Sequence, residues 1–182
     1  MNLYLRLLLL TLRVRLAAVR PGPRPSLWDE ARTPFRVVPT DLDPLRHVNN
    51  GKYLSMLDLG RYDLLARSGF WQEASRRGWY AVVAAQTITY KRSLTLGQRF
   101  TLVTKVLGTD ERAVYIEQTF VRQGAVVARA VVQARFLRRT GGTVTPDEIL
   151  AATGGAPRDL TLPSWVHEWA DAVRISSSGG VH

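Results

Sequence analysis

The strongest constraint on the fold is one long apolar helix followed by four segments with the period of β-strands. Hydrophobic side chains recur at helical spacing over about 51–67 and cover so much of that surface that the helix should be enclosed. After Trp79 the hydrophobic period changes to two. Four segments follow this period and are predicted strands: 80–94, 98–109, 113–123 and 125–139. Their connections are short enough for hairpins, which predicts an antiparallel sheet.

The flanking segments complete an α+β pattern. The stretch "TPFRVVP" (33–39) reads as a first strand, and Thr145, Pro146 and Glu148 have the spacing of a capping box that starts a helix. A last short helix is predicted over 164–173, followed by a frayed tail "SSSGGVH". A curved antiparallel sheet of about five strands can bury such a helix by wrapping around it. This is the hotdog arrangement, with additional N-terminal and C-terminal helices.

The expected organisation has three parts. Residues 1–30 are predicted to form an amphipathic helix and a proline-rich linker, "RPGPRPSLWDE" (20–30). The hotdog domain is predicted over 31–153. Residues 154–182 are expected to form the C-terminal helix and flexible tail.

The N-terminal segment "MNLYLRLLLLTLRVRLA" is interrupted by arginine and lacks the ~20 apolar residues of a spanning helix. A secretory signal would place its charge before the apolar core. At about 100° per residue, Asn2, Arg6, Arg13 and Arg20 share one stripe and leucines cover the rest. Three interpretations stay open: a helix packed on the domain or on a sister subunit, a basic helix making peripheral contact with a membrane through residues 1–20, and a cleaved or anchoring segment.

Charge and composition narrow the partners. The chain has no cysteine, which excludes disulfides and thiolate metal sites and favours a reducing, cytoplasmic location. Its three histidines are too dispersed for a metal site. The formal charge of +10 favours a phosphate-bearing small molecule or anionic lipid. No nucleic-acid-binding motif accompanies the charge, so nucleic acid is not expected as a partner.

The stretch "DLDPLRHVNNGKY" (41–53) concentrates polar residues at the start of the predicted central helix. Asn49 or Asn50 is a good N-cap, and the backbone N–H groups around Asn50, Gly51 and Lys52 would face a ligand at the positive end of the helix. Such donors stabilise the charge that develops on a carbonyl oxygen during acyl transfer.

The same stretch supplies acid–base groups. Asp41 and Asp43 would point the same way in an extended loop, and His47 follows four residues after the second. An ionised carboxylate suits a general base or a nucleophile, and histidine can hold water or protonate a leaving group. Asp-Pro and Asn-Asn are also ordinary turn sequences, so a purely structural role for Asp43 stays open.

At these residues the sequence resembles the hotdog thioesterases, in particular the 4-hydroxybenzoyl-CoA thioesterase-like superfamily, its small bacterial members and the plant acyl-carrier-protein thioesterases. "DLDPLRHVNNGKYLSMLD" is similar to their signature D-x-D-x-x-x-H-x-N-N-x-x-Y, and "TITYKRSLTLGQRF" is similar to their second strand. The resemblance covers about 33–140. It implies a hotdog fold, hydrolysis of acyl thioesters, and no cofactor beyond the coenzyme A of the substrate.

The resemblance also implies roles for individual residues. Asp43 matches the catalytic carboxylate, His47 the motif histidine, and Asn49 and Asn50 the paired asparagines, beside Gly51 at the helix entry. Asp41 matches the less essential first acid. Leu45 stands where the plant enzymes carry asparagine, so that part of the plant network is missing.

A substrate site follows from the implied reaction. The acyl chain is expected in a pocket lined by helix and strand residues: Tyr53, Met56, Leu57, Val83 and Thr87. Gln86 on that strand would either orient water or belong to the sheet. Five cations are candidate contacts for the phosphates of acyl-CoA: Lys52, Lys91, Arg92, Arg138 and Arg139.

The expected partners are an acyl-CoA or acyl-carrier-protein thioester and a second copy of the chain, in a homodimer or homotetramer with a shared site. The main alternative is a non-catalytic protein that binds acyl thioesters or lipid at a membrane. A dehydratase, which would need Asp58 or Asp63, is a further alternative.

Overall fold

The computed structural model of the chain describes residues 3–18, 24–157 and 160–175. Five helices and six strands lie in these ranges. The helices are α1 (Leu3–Ala18), α2 (Asn50–Arg67), α3 (Phe70–Arg76), α4 (Pro146–Thr153) and α5 (Ser164–Ala172), with a 3-10 turn at Pro39–Asp41. The strands are β1 (Ala31–Arg36), β2 (Trp79–Tyr90), β3 (Arg99–Thr109), β4 (Val114–Arg122), β5 (Ala125–Arg138) and β6 (Thr143–Val144).

The strands form one antiparallel sheet in the order β1-β3-β4-β5-β2, and the short β6 pairs with β5. The β4–β5 hairpin turns at Gln123 and Gly124, whose φ angles of 49° and 76° match the right-handed twist of the flanking strands. β2 and β1 lie at the two edges of the sheet. The predicted hotdog fold of α+β class is confirmed, with five long strands and a sixth of two residues.

α2 lies against the concave face of the sheet and is enclosed as its sequence predicts. Two apolar clusters surround it. The cluster at its N-terminal half includes Val37, Tyr53, Met56, Leu57, Phe100 and Phe120. The cluster at its C-terminal half includes Leu64, Phe70, Trp79, Val106, Ile116 and Phe136.

Polar side chains join α2 to the sheet between these clusters. Gln118 Nε2 donates to the carbonyl oxygen of Leu57 at 3.0 Å, and Gln118 Oε1 accepts from Arg61 Nη1 at 2.7 Å. Asp63 is buried and accepts hydrogen bonds from Thr33 and Arg67. Asp63 therefore joins α2 to β1. Asp58, in contrast, is exposed and pairs with Arg61.

The opposite face of the sheet carries a smaller core under α5. Tyr115 and Val131 pack there with Leu162 and Val166. Tyr115 donates its hydroxyl hydrogen to Asp110 Oδ2 at 2.6 Å, and burial, reinforced by that carboxylate, raises the pKa of Tyr115. The hydroxyl is thus held neutral as the donor that anchors the β3–β4 turn.

α1 packs against α2 and the end of β1 with its polar side inward. Arg6 Nη2 forms a buried ion pair with Asp41 Oδ2 at 2.6 Å, and the hydroxyls of Thr11 and Tyr62 are 3.1 Å apart. The sequence places Arg6 on a polar stripe beside Arg13, opposite the leucines, yet Arg6 faces the protein interior and most leucines face outward. Asn2 and Arg20 of the predicted stripe lie outside the described residues.

Several boundaries differ from the predictions. α3 and β6 were not predicted, because seven and two residues are too few to display a period. The described part of the predicted linker, 24–30, contains a turn at 27–29 and no helix or strand. The predicted tail, 176–182, lies outside the described residues. In the described ranges, every helix is too short or too polar to cross a bilayer.

Candidate active site

The loop before α2 is fixed to the segment that follows β2. Leu42 and Val48 form an antiparallel bridge within the loop, and His47 forms another with Thr95. The Val48 N–H donates to the carbonyl oxygen of Leu94 at 2.9 Å. These bonds hold the loop rigidly across the N-terminal end of α2.

Asn49 is the N-cap of α2, as predicted. Its Oδ1 accepts from the Gly51 N–H at 2.9 Å, and its carbonyl oxygen accepts from the Lys52 N–H at 2.8 Å. Two of the three predicted oxyanion donors are therefore used within the cap. Asn50 is exposed, and its N–H is the donor at the positive end of the helix that these bonds leave for a ligand.

Asp43 organises the loop through one carboxylate oxygen. Its Oδ1 accepts from the backbone N–H groups of Leu45 at 2.9 Å and His47 at 3.2 Å. Its own N–H donates to the His47 carbonyl oxygen at 2.9 Å, and Arg46 completes the turn with a φ of 62°. The turn role left open by the sequence is therefore present, while Oδ2 takes no part in these turn bonds.

His47 is exposed, and its contacts to Asp43 are made by backbone atoms. The expected approach of the His47 side chain to the carboxylate is thus replaced by a main-chain contact. The His47 side chain is exposed to solvent in this loop.

Asp41 supports the loop from behind and does not face a ligand. Its side chain is 1% exposed and accepts from Arg6 and from the Val38 N–H at 2.9 Å. Its carbonyl oxygen accepts from the Asn49 N–H at 2.9 Å. The predicted contact of Asp41 with substrate is therefore replaced by a structural role that links α1 to the start of α2.

The predicted acyl pocket is closed in the single chain. Tyr53, Met56 and Leu57 are buried in the core, where the Tyr53 ring packs edge-on against Tyr90 and Phe120 with centroids 5.0 Å apart in each case. Burial raises the pKa of Tyr53, with a hydrogen bond to the backbone of Leu94 acting in the opposite direction.

The strand side of that pocket is open instead. Val83 and Gln86 are exposed, and Thr87 is half-buried, on the edge strand β2.

Two arginines form a cationic notch beside the loop. Residues 91 and 92 extend β2 by donating both backbone N–H groups to the Val127 carbonyl oxygen, at 2.8 and 3.1 Å. The notch has a volume of about 120 Å³ and is lined by Arg92, Ser93, Arg122, Gln123, Ala125 and Val127. Neither guanidinium enters the ion pairs of the described residues. Arg122 was not singled out from the sequence, although the hairpin turn at 123–124 places it opposite Ala125.

The other predicted phosphate contacts, Lys52, Arg138 and Arg139, do not line this notch. Lys52 is half-buried in the first turn of α2. Arg138 binds both carboxylate oxygens of Glu148, at 2.6 and 2.8 Å. At about 3.3 Å per residue, Arg138 and Arg139 lie about 36 Å along β5 from the notch. In a single chain, Arg138 and Arg139 therefore lie far from the other candidate phosphate contacts.

In the described part of the chain, no three or more His, Asp and Glu residues come together as possible ligands of a metal ion. The chemistry available at the loop is that of a helix N-terminus, a fixed carboxylate and an exposed imidazole.

Comparison with known proteins identifies one family. The model of the thioesterase-like superfamily matches residues 37–170. Protein THEM6 of Xenopus laevis is 35% identical over 142 residues, which cover 78% of this chain and 66% of that protein. The long-chain acyl-CoA thioesterase FadM of Escherichia coli K12 is 29% identical over 103 residues, covering 56% of this chain and 78% of FadM. The chain thus spans slightly less than two thirds of the frog relative.

Solved structures share the fold. The probable thioesterase YbaW of Escherichia coli superimposes with a TM-score of 0.61 at 25% identity, covering 64% of this chain and 90% of YbaW. A 12:0-ACP thioesterase from Umbellularia californica superimposes with a TM-score of 0.63 at 15% identity, covering 83% of this chain and 57% of that one. At that identity the second likeness concerns the fold alone.

Proposed function

The chain belongs to the thioesterase-like superfamily, and we propose on that basis that it hydrolyses acyl thioesters, with acyl-CoA as the substrate, at the N-terminus of α2. The family match includes the whole loop from Asp41 to Asn49. The observation that carries the proposal is a carboxylate, Asp43, fixed by two backbone N–H groups in the loop that leads into α2, where the cap bonds leave the Asn50 N–H for a ligand. FadM, whose name gives it long-chain acyl-CoA as substrate, supports the choice of thioester.

The proposed mechanism uses the Asn50 N–H to polarise the substrate and the Asp43 carboxylate to activate water. The thioester carbonyl oxygen accepts the Asn50 N–H, and the helix dipole stabilises the negative charge that develops there. Asp43 takes a proton from water as the water oxygen attacks the carbonyl carbon. The C–S bond then breaks, and the departing thiolate receives that proton from the Asp43 carboxyl group, while His47 and Asn50 position the reacting groups. The products are the free acid and the thiol.

The cationic notch favours CoA over a carrier protein. Arg92 and Arg122 flank β5 from the two neighbouring strands, so both guanidinium groups can reach one phosphate. Lys91 adjoins them, and Lys52 lies in the first turn of the helix. Two like charges side by side are unfavourable unless an anion compensates them.

We place the enzyme in the cytoplasm. A chain without cysteine has no disulfide that reducing conditions could break.

We propose a homodimer, or a pair of such dimers, joined through β2. This strand has 12 residues and exposes Tyr80, Val83 and Tyr90 at an open sheet edge. Antiparallel pairing about the middle of β2 would bring the partner's Arg139 toward the Tyr90 end of this chain. The acyl chain would then lie between α2 and the paired edge, where Gln86 can orient the attacking water.

Thiol release from acyl-CoA of graded chain length tests the proposal, with Asp43→Asn as the main variant. Asparagine can still accept the two turn bonds through Oδ1, so the loop persists while the base is lost. We expect kcat to fall by about 100-fold or more. Asp147→Asn, an exposed carboxylate on α4, should retain full activity.

Two outcomes would count against the proposal. Full turnover by Asp43→Asn would reject Asp43 as the base. Tight acyl-CoA binding by the folded protein without hydrolysis at any chain length would instead favour a non-catalytic binding protein.

A further inference from the structure

We propose that α1 docks on an anionic membrane surface through an exposed leucine face, defined as Leu5, Leu8, Leu9, Leu12 and Leu16. These side chains are between 46% and 71% exposed. Five leucines on one short helix form an apolar surface of the kind that marks an interaction site. The proposal is independent of the hydrolytic reaction, because it rests on α1 alone.

The direction of this face is fixed by polar contacts on the other side of α1. Arg6 is buried in its ion pair with Asp41 and also donates to the Arg36 carbonyl oxygen at 3.2 Å. Thr11 meets the hydroxyl of Tyr62, and Leu10 is buried nearby. Turning the leucines inward would break a buried ion pair, so the helix holds them toward the outside.

Arginines flank the leucine face on both sides. At about 100° per residue the five leucines occupy an arc of about 100°. Arg15 lies just beyond one boundary of the arc and Arg13 just beyond the other, and both are exposed. A leucine face between two rows of cations is the pattern of a helix that lies in the plane of a membrane. The arginine stems can lie along the apolar layer while their guanidinium groups reach lipid phosphates.

The charge of the protein indicates whether a membrane or a second copy of the chain covers the leucine face. Every copy carries a formal charge of +10, and two such faces would bring their flanking arginines together. An anionic bilayer compensates the same charges, with about 1 kcal/mol per basic residue near its surface. The leucine face therefore fits lipid better than protein of its own kind.

Co-sedimentation of the full chain with vesicles tests the proposal. One set contains phosphatidylcholine with about a third phosphatidylglycerol, and the other contains phosphatidylcholine alone. We expect binding to the anionic set. The triple variant Leu8→Gln/Leu9→Gln/Leu12→Gln should weaken that binding at least about tenfold, because it removes apolar area from the contact.

Arg13→Gln/Arg15→Gln should weaken binding to the anionic vesicles by about 30-fold, which is the equivalent of about 1 kcal/mol for each of two cations. Ile175→Gln is the matched control, since Ile175 is 92% exposed but lies after α5. All variants change exposed side chains, so their thermal midpoints should stay near that of the wild type.

Vesicle binding that the triple variant retains would overturn the proposal. So would a fall in molar mass of the triple variant by light scattering without vesicle binding by the wild type, because a second copy would then cover the face. Hydrolysis of a short, soluble acyl-CoA without vesicles should be unchanged in the triple variant. That assay separates a failure of docking from a failure of the proposed reaction.

Discussion

At the scale of single residues, Asp43 fixes the loop through one carboxylate oxygen, and the other takes no part in the turn. Oδ1 closes the turn by accepting from two backbone N–H groups, which orients the carboxylate without help from another side chain. Leu45 takes part only through its N–H, and its side chain is exposed. The turn therefore does not require asparagine at this position, although the plant-type enzymes carry it.

Substitution of Arg6 tests whether its buried ion pair with Asp41 stabilises the protein. Arg6→Ala would leave the Asp41 carboxylate buried without its cation, and we expect the free energy of unfolding to fall by about 3 kcal/mol. Urea unfolding measures the loss. Arg13→Ala removes an exposed arginine of the same helix and should change stability little. Equal effects of the two substitutions would contradict a stabilising role for the buried pair.

Local chemistry made part of the site predictable from the sequence. The N-cap Asn49 and its bonds to Gly51 and Lys52 involve neighbours in the chain, so their spacing was sufficient. The contact between Arg6 and Asp41 joins residues 35 positions apart, and no local pattern reports it. For the same reason the sequence does not reveal the notch between Arg92 and Arg122, which are far apart in the chain.

At the scale of elements, Gly60 sets how closely α2 approaches the sheet. A Cβ at this position would lie 2.6 Å from Leu102 Cδ2 and 2.8 Å from both Thr104 Oγ1 and Gln118 Nε2. Gly60→Ala should therefore destabilise the protein by about 1–3 kcal/mol through overpacking, although alanine is the better helix former. Chemical denaturation measures the change. Gln72→Ala, on the exposed side of α3, should be nearly neutral, and a stabilised Gly60→Ala would contradict the close approach.

α3 is stabilised by ion pairs that depend on pH. Glu73 accepts from Arg76 at 2.7 Å and from Arg77, and these bonds lower the pKa of Glu73 from 4.5 to about 2. A carboxylate with a lowered pKa in the folded state stabilises the fold above pH 4.5. That contribution is lost as the pH falls through about 2.

The difference in thermal midpoint between wild type and Glu73→Gln should therefore be largest near neutral pH and shrink between pH 4.5 and 2. Because Glu73 is at the surface, high salt should reduce the difference as well. Glu111→Gln, in the exposed β3–β4 turn, serves as the control. A difference that grows on acidification would contradict the assignment.

Periodicity predicted the elements far better than their orientation. The long strands and α2 begin and end within a few residues of the predicted positions, because each spans many repeats of its period. For α1 the period predicted a helix but not its inward face. Burying Arg6 is favourable only because Asp41 and the end of β1 lie beneath it. Tertiary contacts decided that orientation.

At the scale of the whole molecule, the open edge of β2 predicts the oligomeric state. Val83→Lys would add a positive charge to each strand within two residues of the proposed two-fold axis, and two added like charges so near each other oppose pairing. We expect the molar mass by light scattering to fall to that of the monomer, with a loss of activity. Val173→Lys is the matched control, since Val83 and Val173 are both 43% exposed. A Val83→Lys variant that keeps its mass would exclude this interface.

The open β2 edge has a consequence for the newly made chain. Its twelve residues, Trp79–Tyr90, contain neither a charge nor a proline, a composition typical of segments that aggregate as cross-β structure. An uncovered edge strand of this kind is a template for misassembly. Basic pairs lie on both sides, at 76–77 and 91–92, where charges act as gatekeepers against stacking. We therefore expect Lys91 and Arg92 to oppose aggregation of the unassembled chain, a task that needs no phosphate.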